Sequence, residues 1–108
     1  MLDTQSSGVI NFKSEGFAKA LTAIQNNDLD DAIELLKAEA KANPTDADIQ
    51  YTLGRTYKQK GEAVKAIKAL IEVAKIDKTY HPAYFLLGQL YFSQGMGVAS
   101  LESYAQAV

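Results

Sequence analysis

Apolar residues recur along this chain at intervals of three and four positions, with polar residues between them. That spacing places the apolar side chains on one face of an α-helix. The two clearest stripes are Leu29, Ala32, Ile33, Leu36 and Ala40, and then Val64, Ala66, Ile67, Leu70, Ile71 and Ala74. Because no alternating strand pattern accompanies these stripes, the sequence predicts an all-α fold.

Capping and turn residues divide the chain into helices. We expect one helix to begin after Ser14, a second to open at the capping box Thr45–Asp48, and a third to have Pro82 in its first turn, where proline is tolerated. The last helix should run from about Val98 to the end of the chain. Residues that end helices recur between these starts: Asn26, Asn27, Pro44, Gly61, Gly95 and Gly97.

The chain repeats itself with a period of about 34 residues. Residues 51–57, Tyr-Thr-Leu-Gly-Arg-Thr-Tyr, correspond to residues 85–91, Phe-Leu-Leu-Gly-Gln-Leu-Tyr. A weaker first copy places Ala20 at the position of Gly54 and Gly88. Each copy contains two predicted helices, so the copies must stack to bury a continuous core.

A Leu-Gly-x-x-Tyr motif, followed by a turn glycine and an alanine, is similar to the tetratricopeptide repeat. The second copy carries the motif in full: Leu53, Gly54, Tyr57, Gly61 and Ala66. The third copy has Ser100 in place of the alanine, and the first copy departs most, with Lys19 and Ala20 for Leu-Gly. The resemblance covers residues 13–108 and implies a right-handed solenoid of about three helix-turn-helix units of about 34 residues.

We expect residues 1–13 to form a flexible N-terminal extension and residues 14–108 to form the repeat domain. The units are predicted at about 13–46, 47–80 and 81–108. The last unit has no capping helix after it, although solenoids need polar end caps for solubility. We therefore expect the chain to be a fragment of a longer array, the alternative being a partner that meets the open end.

The small residues of the motif are expected to serve packing rather than binding. Gly54 and Gly88 fall where the two helices of a unit approach closely. Tyr57 and Tyr91 would fill the space between units.

The candidate binding residues form a separate stripe. Solenoids bind on the concave surface of the stacked units, and the resemblance implies that the first helix of each unit lines that surface. The stripe consists of Phe17, Leu21 and Ile24, then Tyr51, Arg55 and Lys58, and then Phe85, Gln89 and Phe92. We expect a groove that binds a peptide or helix of a partner protein, with apolar anchors and with Arg55 and Lys58 steering an acidic group.

The aromatic ladder of Phe17, Tyr51 and Phe85 also permits two structural roles in place of binding. The rings would pack between units, or the N-terminal residues Val9, Ile10 and Phe12 would cover them.

One subclass of the family clamps the C-terminal carboxylate of heat-shock chaperones with Lys, Asn and Arg side chains. The corresponding positions here are Phe17, Leu21, Thr52, Pro82 and Leu86. None of them carries a cationic or amide group, so we expect an apolar or amphipathic ligand instead.

Composition argues against several function classes. The net charge of -2 is not the positive balance of a nucleic-acid-binding protein. There is no cysteine, and the single histidine, His81, cannot form a metal site alone. No catalytic constellation is visible, so we expect no enzyme, cofactor or metal. No run of about 18 apolar residues predicts membrane insertion, and the lack of a signal peptide suggests a cytoplasmic location.

Charge is segregated along the chain. Residues 28–48 contain seven acidic residues and two lysines, whereas residues 55–78 contain seven basic and three acidic residues. Such blocks are usually solvated helix faces. The alternative is a homo-oligomer in which the acidic first unit meets the basic second unit of another copy. A regulatory fragment of a larger multi-domain protein is a further alternative.

Overall fold

The computed structural model describes residues 14–107 as six α-helices joined by short turns. The helices are α1 (Glu15–Gln25), α2 (Leu29–Ala42), α3 (Ala47–Lys60), α4 (Ala63–Ile76), α5 (His81–Ser93) and α6 (Gly97–Ala107). This part of the chain contains no strand, so the predicted all-α class is confirmed. The predicted N-terminal extension, with Val9, Ile10 and Phe12, lies outside the described residues, and the unit limits stay predictions.

The starts of α1 and α3 are capped by side chains near the positions that the sequence predicts, with one correction. The side chain of Ser14 accepts a hydrogen bond from the backbone N–H of Phe17 at 3.0 Å, as the sequence predicts. The predicted capping box begins one residue later than expected, because Asp46 rather than Thr45 is the N-cap of α3. Its carboxylate accepts from the backbone N–H of Asp48 at 3.1 Å, and aspartate caps a helix at least as well as threonine.

The turn inside each unit requires a left-handed residue at one position. That residue is Asn27 in the first unit, with φ of 62°, Gly61 in the second, with φ of 92°, and Gly95 in the third, with φ of 76°. Glycine adopts this conformation without steric cost, and asparagine is the best tolerated alternative. The three positions are separated by the period of the sequence, so the turn repeats with it.

The helices pack as three antiparallel pairs, α1 with α2, α3 with α4 and α5 with α6. Neighbouring pairs are joined by α2 against α3 and by α4 against α5, which gives an elongated body of 53 × 27 × 21 Å. The first helices α3 and α5 also contact each other, whereas α2 and α4 share no comparable packing within residues 14–107. α3 and α5 are therefore closer together than α2 and α4, as expected for helices on the inner side of a curved stack.

The two helices of a unit approach closely at the motif glycines, as the sequence predicts. A Cβ atom added at Gly54 would lie 2.9 Å from Cδ2 of Leu70, and one added at Gly88 would lie 2.7 Å from the Tyr104 ring. Both distances are well inside van der Waals contact. Ser100, at the alanine position of the motif, donates a hydrogen bond from Oγ to the carbonyl of Gly88 at 2.8 Å, which satisfies its buried hydroxyl.

Two clusters of buried side chains form the core of the described residues. The first is built from Ala20, Ile33, Leu36, Leu53 and Ala69, and the second from Ala66, Leu70, Val73, Ala83, Leu87 and Leu90. Tyr57 packs against both clusters, so it fills the space between the first two units, as predicted.

Candidate partner-binding groove

The inner face, made by the exposed sides of α1, α3 and α5, contains a cleft between α3 and α5. Arg55, Lys58, Gln59 and Leu86 line this cleft, which has a volume of about 330 Å³. Arg55 and Lys58 lie one helical turn apart on α3, so their side chains reach the same space. The structure thus places these two predicted site residues together, over the apolar side chain of Leu86.

A second cleft continues from the first toward the turns. Lys58 and Gln89 line it together with Leu90 and Ser93, and its volume is about 480 Å³. Lys58 therefore belongs to both clefts and connects the predicted positions on α3 with Gln89 on α5.

The predicted apolar anchors differ in how far they are exposed. Phe92 is 72 % exposed, Phe85 is 50 % exposed and Leu21 is 40 % exposed. Phe17 and Ile24 are half-buried and pack against the first core cluster. The third unit therefore presents the largest apolar surface, and the first presents chiefly Leu21.

Tyr51, the middle ring of the predicted ladder, is held in place by two neighbours. Its ring lies 5.1 Å from the ring of Tyr80, centroid to centroid, at an interplanar angle of 47°. The guanidinium carbon of Arg55 lies 5.8 Å from the centroid of Tyr51, within cation–π range. Arg55 is thereby kept close to the aromatic side of the groove.

Tyr80 is a residue that the sequence analysis missed. Its hydroxyl donates a hydrogen bond to Oδ1 of Asp48 at 2.6 Å, which joins the loop before α5 to the start of α3. Burial and, secondarily, the neighbouring carboxylate of Asp48 raise the pKa of Tyr80 above its ordinary value. Tyr80 lies outside the helical stripes, and the only signal was an aromatic residue directly before the helix start at His81 and Pro82.

The cations of the inner face, Arg55 and Lys58, have no ion-pair partner in the part of the chain that the structure describes, although Lys60 on the same helix does. The Nζ of Lys60 lies 2.5 Å from Oδ1 of Asp30 and 3.0 Å from Oε2 of Glu62. These hydrogen bonds, to Asp30 first and then to Glu62, raise the pKa of Lys60.

The described residues offer no alternative site for metal chemistry. No group of three or more His, Cys, Asp or Glu side chains within residues 14–107 is arranged to hold a metal ion. His81 lies in a helix start, with Nδ1 3.0 Å from the carbonyl oxygen of Gln106. None of the helices in this range is long and apolar enough to cross a membrane. That the chain is not an enzyme stays a prediction.

Comparison with known proteins identifies relatives by family and by fold. A family model for the tetratricopeptide repeat matches residues 23–90. A search of curated proteins found no match. Among solved structures, MamA is similar, with 25 % identity, a TM-score of 0.83, and coverage of 85 % of this chain and 54 % of that chain.

Two further structures share the fold. MamA from residue 41 to its end, from Desulfovibrio magneticus RS-1, has 21 % identity and a TM-score of 0.80, with coverage of 85 % of this chain and 52 % of that chain. The type III secretion chaperone SycD of Yersinia enterocolitica, in complex with a peptide of the translocator YopD, has 17 % identity and a TM-score of 0.83. That match covers 86 % of this chain and 71 % of SycD. The chain spans about half the length of the MamA chains.

We predict that Tyr80→Phe lowers the free energy of unfolding by about 1.5 kcal/mol, because it removes a hydrogen bond to a carboxylate. Urea unfolding followed by circular dichroism measures the change. Tyr84→Phe is the matched control, since Tyr84 is also half-buried on α5 and its hydroxyl has no hydrogen-bond partner among residues 14–107. The control should change the unfolding free energy by less than about 0.5 kcal/mol.

The difference in unfolding free energy between wild type and Tyr80→Phe should depend on pH. Because the pKa of Tyr80 is raised on folding, the unfolded chain loses this proton first as the pH rises. The stabilisation is therefore complete below the ordinary tyrosine pKa of about 10 and declines above it. The difference between wild type and Tyr80→Phe should shrink above about pH 10. A difference that stays constant into strong alkali would contradict this assignment.

Proposed function

The chain belongs to the tetratricopeptide repeat family, and we propose that it is a protein-interaction domain that binds a peptide or helix of a partner protein in the inner-face groove. The observation that carries the proposal is the cleft of Arg55, Lys58 and Leu86, two cations without ion-pair partners in the described range over an apolar floor. Such a site fits a ligand that combines an apolar and an acidic side chain.

Each part of the groove has a distinct task in this proposal. Phe85, Phe92 and Leu21 provide exposed apolar surface for anchoring, because large side chains buried at an interface contribute most of the binding energy. Arg55 and Lys58 attract a carboxylate, which raises the association rate and fixes the direction of the ligand. Tyr51 and Tyr80 hold Arg55 beside the aromatic surface.

One structural neighbour supports peptide binding by a protein of this fold. The SycD structure contains a peptide of its partner, the translocator YopD. At 17 % sequence identity, SycD shows that the two proteins share a fold, but not that they share a ligand. The sequence of the peptide that this chain binds is therefore to be found by selection.

We predict that Phe85→Ala weakens peptide binding at least about tenfold, the effect of losing about 1.4 kcal/mol at an anchor. Peptides are selected from a displayed library of random short sequences against the wild-type chain, and their affinities are measured by fluorescence anisotropy. Val64→Ala is the control, since Val64 is similarly exposed but lies on α4, away from the inner face.

If the selected peptides bind the Phe85→Ala variant and the Arg55→Glu variant as tightly as they bind the wild-type chain, the inner-face groove is not their binding site. Phe85 is half exposed, but its ring lies 5.7 Å from the ring of Tyr104, so circular dichroism and urea unfolding check that Phe85→Ala keeps the fold.

The alternative function is self-assembly into a homo-oligomer. The exposed apolar side chains of Val98 and Leu101 on α6 favour it, as do the opposite charges of the first two units. However, Asp30 of the first unit and Lys60 of the second already form an ion pair within one chain. This pair leaves fewer opposite charges for contacts between two copies. A role as the regulatory part of a larger protein is a further alternative.

Gel filtration coupled to light scattering at low and high salt separates these functions. The groove proposal predicts a monomer under both conditions. An oligomer that dissociates at high salt would favour charge-driven assembly, because salt screens interactions between exposed charges. A dimer that resists salt would favour association through the apolar side chains of α6.

A further inference from the structure

The outer face carries a second groove, between α2 and α4, with α3 at its base. Its volume is about 370 Å³, and it is lined by Lys37 from α2, by Gln50, Leu53 and Tyr57 from α3, and by Lys65, Lys68, Ala69 and Glu72 from α4. On α3 and on α4, the residues that line the groove recur three, four and seven positions along the sequence, as from Gln50 to Leu53 and Tyr57 and from Lys65 to Lys68, Ala69 and Glu72. Each set therefore forms a stripe along two helical turns, about 10 Å long.

The floor of this outer groove is apolar and its rim is basic. Leu53 and Ala69 are core residues, and the half-buried ring of Tyr57 lies beside them. The Nζ of Lys65 lies 5.9 Å from the centroid of the Tyr57 ring, so the cation faces the floor.

Of the three rim lysines, Lys37 and Lys65 are ion-paired, whereas Lys68 forms no ion pair within residues 14–107. Lys37 and Lys65 pair only with glutamates one turn earlier, Lys37 at 3.7 Å and Lys65 at 3.0 Å, and exposed pairs of this kind contribute little. The one acid of the lining, Glu72, is bound by Lys75, with its Oε2 3.2 Å from Nζ.

Comparison of the second unit with the third distinguishes the groove residues that packing requires from those specific to this groove. One period later, the floor positions of Leu53 and Tyr57 are again leucine and tyrosine, Leu87 and Tyr91. The rim positions of Lys37, Lys65 and Lys68 become Ile71, Ala99 and Glu102. The next unit thus keeps the leucine and the tyrosine of the floor, with Ser103 at the position of Ala69, but none of the three lysines, so stacking does not need the basic rim.

We propose that the outer groove is a second binding site, which takes a short acidic amphipathic segment of a partner protein. An apolar side chain of that segment packs on Tyr57 between α2 and α4. Carboxylates one helical turn apart pair with Lys65 and Lys68, and Lys37 on the opposite wall fixes the segment from the other side. The charge of the rim and the length of two turns match a short peptide with two or three acidic residues.

This site is separate from the inner-face groove. Arg55 and Lys58 line the clefts toward α5, whereas Leu53 and Tyr57 line the groove toward α2 and α4. One chain could therefore hold two partner segments at once, on opposite sides of α3.

The experiment uses a displayed library of random short peptides, selected on the wild-type chain, with each enriched peptide measured on two charge-reversed variants. We expect a class rich in Asp and Glu whose affinity falls at least about tenfold with Lys65→Glu/Lys68→Glu and is unchanged with Arg55→Glu/Lys58→Glu. Lys65→Arg/Lys68→Arg keeps the charge and should keep the binding. Circular dichroism checks the fold of each variant, and all four lysine and arginine side chains replaced are exposed.

Three results would overturn the proposal. Selected peptides that all depend on Arg55 and Lys58, or acidic peptides that bind Lys65→Glu/Lys68→Glu as well as wild type, leave the outer groove without a peptide ligand. A wild-type oligomer in light scattering that Lys65→Glu/Lys68→Glu converts to monomer makes a second copy of this chain the occupant. Lysine-dependent cosedimentation with phosphatidylserine vesicles, without any enriched acidic peptide, makes a lipid surface the occupant.

Discussion

The close approach of two helices at a glycine is the contact on which the rest of this structure depends. At Gly54 the side chain of Leu70 occupies the space that a Cβ atom would need, and the Tyr104 ring does the same at Gly88. The second and third pairs close in this way, with Ala20 at the corresponding position of the first, and the closed pairs stack on one another. Stacking then fixes which residues of α3 are buried, such as Leu53, and which stay exposed, such as Arg55. The two surfaces proposed for binding, on opposite sides of α3, follow from the same packing.

Most of the fold could be predicted from the sequence because its determinants are local or periodic. The left-handed residue of each turn recurs with a period of about 34 residues, at Asn27, Gly61 and Gly95, because the turn geometry itself demands it. The N-cap of α1 at Ser14 was also predictable, because serine is a preferred N-cap residue. The cap of α3 shifted from Thr45 to Asp46, since both residues have capping side chains and sequence alone does not fix which one lies at the helix start.

The sites were predicted less completely, because they depend on where neighbouring helices lie. A helical wheel separates Arg55 from the packing positions, but it treats each helix alone. It could not show that Phe17 packs against the first core cluster or that Tyr80 lies on Tyr51. The outer groove was hidden for the same reason: Lys65 and Lys68 resembled an ordinary solvated face until α2 placed Lys37 opposite them. The signals in the sequence were the basic block of residues 55–78, which contains Lys65 and Lys68, and the replacement of these lysines one period later.

The central claim is that α3 and α5 present a groove for a peptide on the inner face. Titration of isotope-labelled protein with a selected peptide, followed by amide chemical shifts, tests this claim residue by residue. The account predicts that the largest changes occur at Arg55, Lys58 and Leu86, around the cleft between the two helices. Changes confined to α6, with α3 and α5 unaffected, would contradict it.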